Sequence, residues 1–85
     1  MESGEIVMKA FGYQKDSDEL IELEEVSFQS DIEGLDKLIK FLQEVKEQHM
    51  KVIGESELCH SHFRDWDDDW KSDSTDIIVV TTSKI

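Results

Sequence analysis

Ser30-Asp31-Ile32-Glu33-Gly34-Leu35-Asp36-Lys37-Leu38-Ile39-Lys40-Phe41-Leu42 opens the stretch that decides the fold, because it carries both a helix start and a helix period. Ser30 followed three residues later by Glu33 fits a capping box, with Ser30 as the N-cap. Asp31, Glu33 and Asp36 suit the positive end of a helix dipole, and Lys46 and Lys51 suit the negative end. Leu35, Leu38, Ile39, Leu42 and Val45 recur at helical spacing and form one apolar stripe. Lys37, Lys40, Glu44 and Glu47 fall on the opposite, solvated face. Gly54 is the expected C-terminal stop.

Upstream of the helix, residues 4–14 alternate as a strand does. Ile6, Met8 and Ala10 share one face, and Val7, Phe11 and Tyr13 share the other. Gln14-Lys15-Asp16-Ser17-Asp18 is a polar turn. A second strand is expected over residues 19–29, with Ile21 and Leu23 out of phase with Val26 and Phe28. A β-bulge at Glu24-Glu25 would bring both pairs to one core.

Downstream, Leu58-Cys59-His60-Ser61-His62-Phe63 reads as a short strand or an ordered loop. Residues 64–75 are polar and acidic and read as a loop. Asp76-Ile77-Ile78-Val79-Val80-Thr81-Thr82 is a strand, apolar on both faces and so expected at the centre of a sheet. The order β-β-α-(β)-β predicts one α+β domain over residues 1–85. It would be a small antiparallel or mixed sheet of three to four strands with one helix on one face.

With 85 residues the chain has a thin core, since a domain this size buries only about two-thirds of its unfolded surface. Cys59 is the only cysteine, so no disulfide within the chain staples it. The first residues are acidic and lack a signal-peptide core, and no apolar run reaches the roughly 20 residues of a membrane span. These features point to the cytoplasm and away from membranes.

The formal charge is −12, from 9 basic and 21 acidic residues. Such a field repels nucleic acid and attracts basic surfaces. Residues 1–30 hold 8 acids and 2 bases, residues 31–54 hold 5 and 4, and residues 55–85 hold 8 and 3. The acid therefore lies mainly outside the helix. Asp65, Asp67, Asp68, Asp69, Asp73 and Asp76 fall within one short run that also holds Trp66 and Trp70. Indoles supply anchoring area and cation–π contacts, while carboxylates steer a basic partner. The same indoles would also suit the edge of a small core.

Other chemistries fit less well. Asp65, Asp67, Asp69, Asp73 and Asp76 match five places of a calcium-loop register, but Trp70 stands where its glycine belongs and a strand follows instead of a helix. Cys59, His60 and His62, with His49, offer zinc-type donors at a spacing that matches no closed pattern. Cys59 and His60 are adjacent, so in a strand they point to opposite faces and do not form a nucleophile–base pair. No phosphate loop or nucleophile elbow occurs. The chain is expected not to be an enzyme and to need no cofactor.

Three pieces carry a resemblance to a known family: Phe11-Gly12-Tyr13 with Glu22-Leu23-Glu24-Glu25-Val26-Ser27-Phe28; Asp31-Ile32-Glu33-Gly34-Leu35-Asp36-Lys37 leading into residues 38–42; and His60-Ser61-His62-Phe63-Arg64-Asp65 with the acidic tryptophan run and Asp76-Ile77-Ile78-Val79-Val80. In these the chain resembles small immunity proteins of bacterial polymorphic-toxin and contact-dependent inhibition systems. The resemblance implies binding and inhibition of a cognate toxin domain, and the acidity implies a basic toxin of the nuclease kind. On this reading Asp65, Trp66, Asp67, Asp68, Asp69, Trp70 and Asp73 form the contact strip, with Glu22, Glu24 and Glu25 as a second group. The alternatives are an acidic nucleic-acid mimic or adaptor that blocks a DNA-binding protein, and a small metal-responsive protein using Cys59, His60 and His62.

Overall fold

The computed structural model describes residues 8–53 and 58–82. The architecture is α+β, with two small two-stranded antiparallel sheets and one long helix. The sequence pattern predicts one sheet of three to four strands; the described strands instead pair in sequence order, two by two.

The first sheet is a short hairpin of β1 (Ala10–Gly12) and β2 (Ile21–Leu23). Ala10 faces Leu23, Phe11 faces Glu22 and Gly12 faces Ile21. Gly12 has a packing reason to lack a side chain: a Cβ there would stand 3.3 Å from Leu23 Cδ1. The connection turns at Gln14–Ser17, where the Ser17 N–H donates to the Gln14 carbonyl at 3.2 Å. Asp16 takes a φ of 63°, the left-handed region that Asp tolerates better than most residues.

Both strands are shorter than expected, and residues 4–7 of the first lie outside the described residues. β2 stops where the backbone bends at Glu24, so no bulge carries the pairing onward. Two adjacent carboxylates at Glu24 and Glu25 favour solvent over a ladder. Val26 and Phe28 consequently remain 50% and 56% exposed and do not rejoin a core.

Helix α1 spans Ile32–Val52. Its N-cap is Asp31, not Ser30. The extended Asp31 backbone lets Oδ1 accept the Gly34 N–H at 2.8 Å. The anionic cap also meets the positive end of the dipole, and such a cap stabilises by about 1 kcal/mol. The Ser30 hydroxyl donates instead to the Asp31 carbonyl at 3.0 Å. The helix closes at Ile53, whose N–H reaches the His49 carbonyl at 2.9 Å. The expected stop, Gly54, lies outside the described residues.

The buried line of α1 is Phe41, Val45 and His49, at successive four-residue steps, with Leu38 half-buried. Of the predicted stripe, Leu35, Ile39 and Leu42 are 47%, 47% and 43% exposed. Aliphatic spacing alone pointed one helix column away from the true contact. An aromatic ring and an imidazole, neither counted as stripe residues, sit where the rest of the chain packs.

The elements on that line are strand β3 (Leu58–His62), the one-turn helix α2 (Phe63–Trp66) and strand β4 (Ile78–Thr82). Part of the predicted 64–75 loop is thus helical. β3 and β4 pair from Leu58↔Thr82 to His62↔Ile78. Among the described residues β4 pairs with β3 alone, so it is not the central strand its composition predicts. Val79 and Thr81 are half-buried, whereas Ile78 and Val80 are 50% and 54% exposed.

Candidate protein-binding surface

The acidic run lies between α2 and β4, and it is tied down at several points. At its base the Phe63 N–H donates to the Ile77 carbonyl at 2.8 Å. The Arg64 N–H donates to Asp76 Oδ1 at 2.8 Å, and His62 Nδ1 meets Asp76 Oδ2 at 2.7 Å. Both carboxylate oxygens of Asp76 therefore latch the start of α2 to the approach of β4.

In the middle of the run, Lys37 of α1 reaches across to Asp67 Oδ1 and Asp69 Oδ2, each at 3.1 Å. The two hydrogen bonds, first to Asp67 and then to Asp69, hold the Lys37 ammonium above the usual lysine range. Lys37 was expected on the solvated face; it is instead the clamp on the loop. Asp67 also accepts the Asp69 N–H at 3.1 Å, and the Trp70 N–H donates to the Asp67 carbonyl at 3.1 Å.

Both tryptophans brace the run. Trp66 stacks on Phe63 with ring centroids 5.7 Å apart and meets Phe41 at the same distance, tilted by 59°. Its indole N–H donates to Glu44 Oε1 at 3.0 Å. The Trp70 indole N–H donates to the Thr75 carbonyl at 3.3 Å. Each ring is half-buried, so neither lies wholly in the core nor stands free as an anchor.

Asp65, Asp68, Asp69 and Asp73 are exposed, while Asp67 and Asp76 are half-buried. Asp67 and Asp76 thus organise the loop, Asp65, Asp68 and Asp73 face solvent, and Asp69 is exposed but bonded to Lys37. Glu22 on β2 and Glu24 and Glu25 just after it are exposed as well. Glu22 pairs loosely with Lys9 at 3.8 Å.

The calcium-register residues Asp67, Asp69 and Asp76 are engaged by the chain's own donors, and among the described residues no three His, Cys, Asp or Glu side chains gather as a metal needs. His60 and His62 share a face, their rings edge-on at 5.5 Å. Cys59 is half-buried with a free thiol. His49 is only 4% exposed and far from the loop acids in role. Its Nδ1 lies 2.8 Å from Thr81 Oγ1 and its Nε2 lies 3.0 Å from Ser61 Oγ. It joins α1 to both strands of the second sheet. The four-residue step Phe41, Val45, His49 was the available signal for this role.

Burial alone would push the Asp76 carboxyl up, but the hydrogen bonds from His62 and the Arg64 N–H, together with their charges, bring it below its ordinary value of 3.8. Its contribution to stability is therefore fully present above about pH 4 and is lost as the pH falls through the lower folded-state value. We expect Asp76→Asn to be destabilising at neutral pH, and the gap from wild type to narrow on acidification below pH 4. Urea midpoints across that range measure it. A gap that stays constant or widens would contradict the latch.

No family model matches the chain, and no curated protein or solved structure matches it. No described helix is long and apolar enough to cross a membrane.

Proposed function

We propose that this chain is an inhibitor of the immunity-protein kind, acting in the cytoplasm by binding and neutralising a cognate basic toxin domain of the nuclease type. It acts by occupation of a surface and not by catalysis. The observation that carries this reading is the division of labour in the acidic run. Lys37 and the two indole N–H groups hold the loop, while Asp65, Asp68 and Asp73 remain exposed on it and outside the clamp. A negative surface already held in shape loses little conformational freedom on binding. Concentrated exposed carboxylates steer a basic partner and raise its association rate. Glu22, Glu24 and Glu25 form a second negative group that widens the attractive field.

Co-expression with the toxin domain encoded upstream of the gene tests the reading directly, by survival and by co-purification of a one-to-one complex. The triple change Asp65→Asn, Asp68→Asn, Asp73→Asn leaves the Lys37 clamp untouched. It is expected to slow association on the order of tenfold at low salt and to flatten the salt dependence. The absence of both rescue and a complex would reject the inhibitor. Unchanged association kinetics in the triple variant would reject the electrostatic part.

A further inference from the structure

Between α1 and the β3–α2 junction lies an open cleft of about 340 Å³, which shares Asp65 with the exposed carboxylates described above. It is lined by residues that include Phe41, Glu44, Val45, His60, Asp65 and Trp66. The volume is at the small end of ligand sites, which run about 300–1,000 Å³, so it suits a side chain better than a cofactor. We propose that this cleft is a receptor for one arginine side chain presented by a protein partner. The inference rests on the protein-binding reading for the source of that arginine.

Three features select a guanidinium. The Trp66 ring is held fixed by stacking on Phe63, and its N–H is engaged by Glu44 Oε1. A flat, immobile indole is the surface on which a planar guanidinium stacks. Glu44 uses one oxygen on that indole, which orients the carboxylate and leaves its other oxygen to accept from a ligand. Asp65 has a side chain 71% exposed and only a loose contact with Arg64, at 3.7 Å, which an incoming cation can replace. A lysine ammonium is more strongly hydrated and cannot stack, so it fits this lining less well. A neutral ligand of the same shape would leave the two carboxylates unanswered.

The test is a titration of the whole chain at pH 8 with acetyl-Gly-Arg-Gly amide and with its lysine and citrulline counterparts, followed by two-dimensional NMR. The arginine peptide should saturate in about the millimolar range and shift the Trp66 indole and the His60 and His62 ring signals before those of Trp70. Citrulline should produce no saturable shift, and lysine should bind at least about threefold more weakly. The pair Glu44→Gln and Asp65→Asn should weaken the arginine peptide by at least about fivefold. Equal responses to arginine and citrulline would overturn the proposal. So would shifts spread evenly over all the acidic residues, the mark of a diffuse ion atmosphere. The wild-type titration decides the matter even if the double variant folds poorly. Toxin rescue without an arginine-peptide shift rejects the cleft alone. A cleft-specific shift without any toxin complex supports the cleft and rejects the inhibitor.

Discussion

Phe41→Ala is expected to remove about 3–5 kcal/mol of folding stability, the range for truncating a buried aromatic ring. Phe41 is 1% exposed and is the largest fully buried side chain among the described residues. It meets Phe63 edge-on with centroids 5.1 Å apart and also contacts Trp66, so one ring joins α1 to α2. Truncation would leave a void between elements that share few other buried groups. A domain of this length has a total stability of only about 4–13 kcal/mol. The variant should therefore lose a large share of that stability, and its urea midpoint should fall sharply. Phe41→Leu, which keeps most of the volume, should cost about 1–1.5 kcal/mol. A loss below about 1 kcal/mol in the alanine variant would mean that the three-ring cluster is not the centre of the core.

His49→Leu should cost about 2–4 kcal/mol by a different route. Leucine fills much of the space, so the loss is chiefly polar. Both imidazole nitrogens bond to hydroxyls, Thr81 Oγ1 and Ser61 Oγ, one from each strand of the second sheet. Removing the ring leaves two hydroxyl groups facing hydrocarbon, each costing about 1–3 kcal/mol when unsatisfied, with the half-buried sites toward the lower figure. Replacing the partners as well, with Ser61→Ala and Thr81→Val, should recover most of the stability, because an apolar substitute on both sides leaves nothing orphaned. The cycle of single and combined variants isolates the coupling. If His49→Leu costs less than about 0.5 kcal/mol, the imidazole is not the connection between helix and sheet.

These two residues show where pattern and packing part company. Aliphatic periodicity located the helix well, and its limits of Ile32 and Val52 agree with a start near residue 30 and a stop near residue 54. It placed Val45 and Leu38 correctly but missed the rest of the buried line, because Leu35, Ile39 and Leu42 outnumber Phe41 and His49 in any count of hydrophobic positions. The acidic run was legible as a run. Its internal division was not, because whether an aspartate is held by Lys37 depends on a contact some 30 positions away in sequence. The tryptophans were legible as partners of the core or of a ligand; hydrogen bonds from both indoles to the chain itself decided that they brace the loop.

By itself the sequence determined the α+β class, the central helix, the hairpin before it, the last strand and the concentration of negative charge in residues 65–76, and it left residues 58–63 open between strand and loop. These follow from local rules: side-chain period, turn chemistry and net charge all act within a few residues. Tertiary structure decided the sheet organisation, the Phe41–Val45–His49 contact line, the choice of Asp31 over Ser30 as cap, and which carboxylates are held and which are exposed. Each of those outcomes is a competition between groups distant in the chain for the same partner or the same small buried volume. Such a competition is settled by the geometry in which the elements meet, which no local pattern encodes.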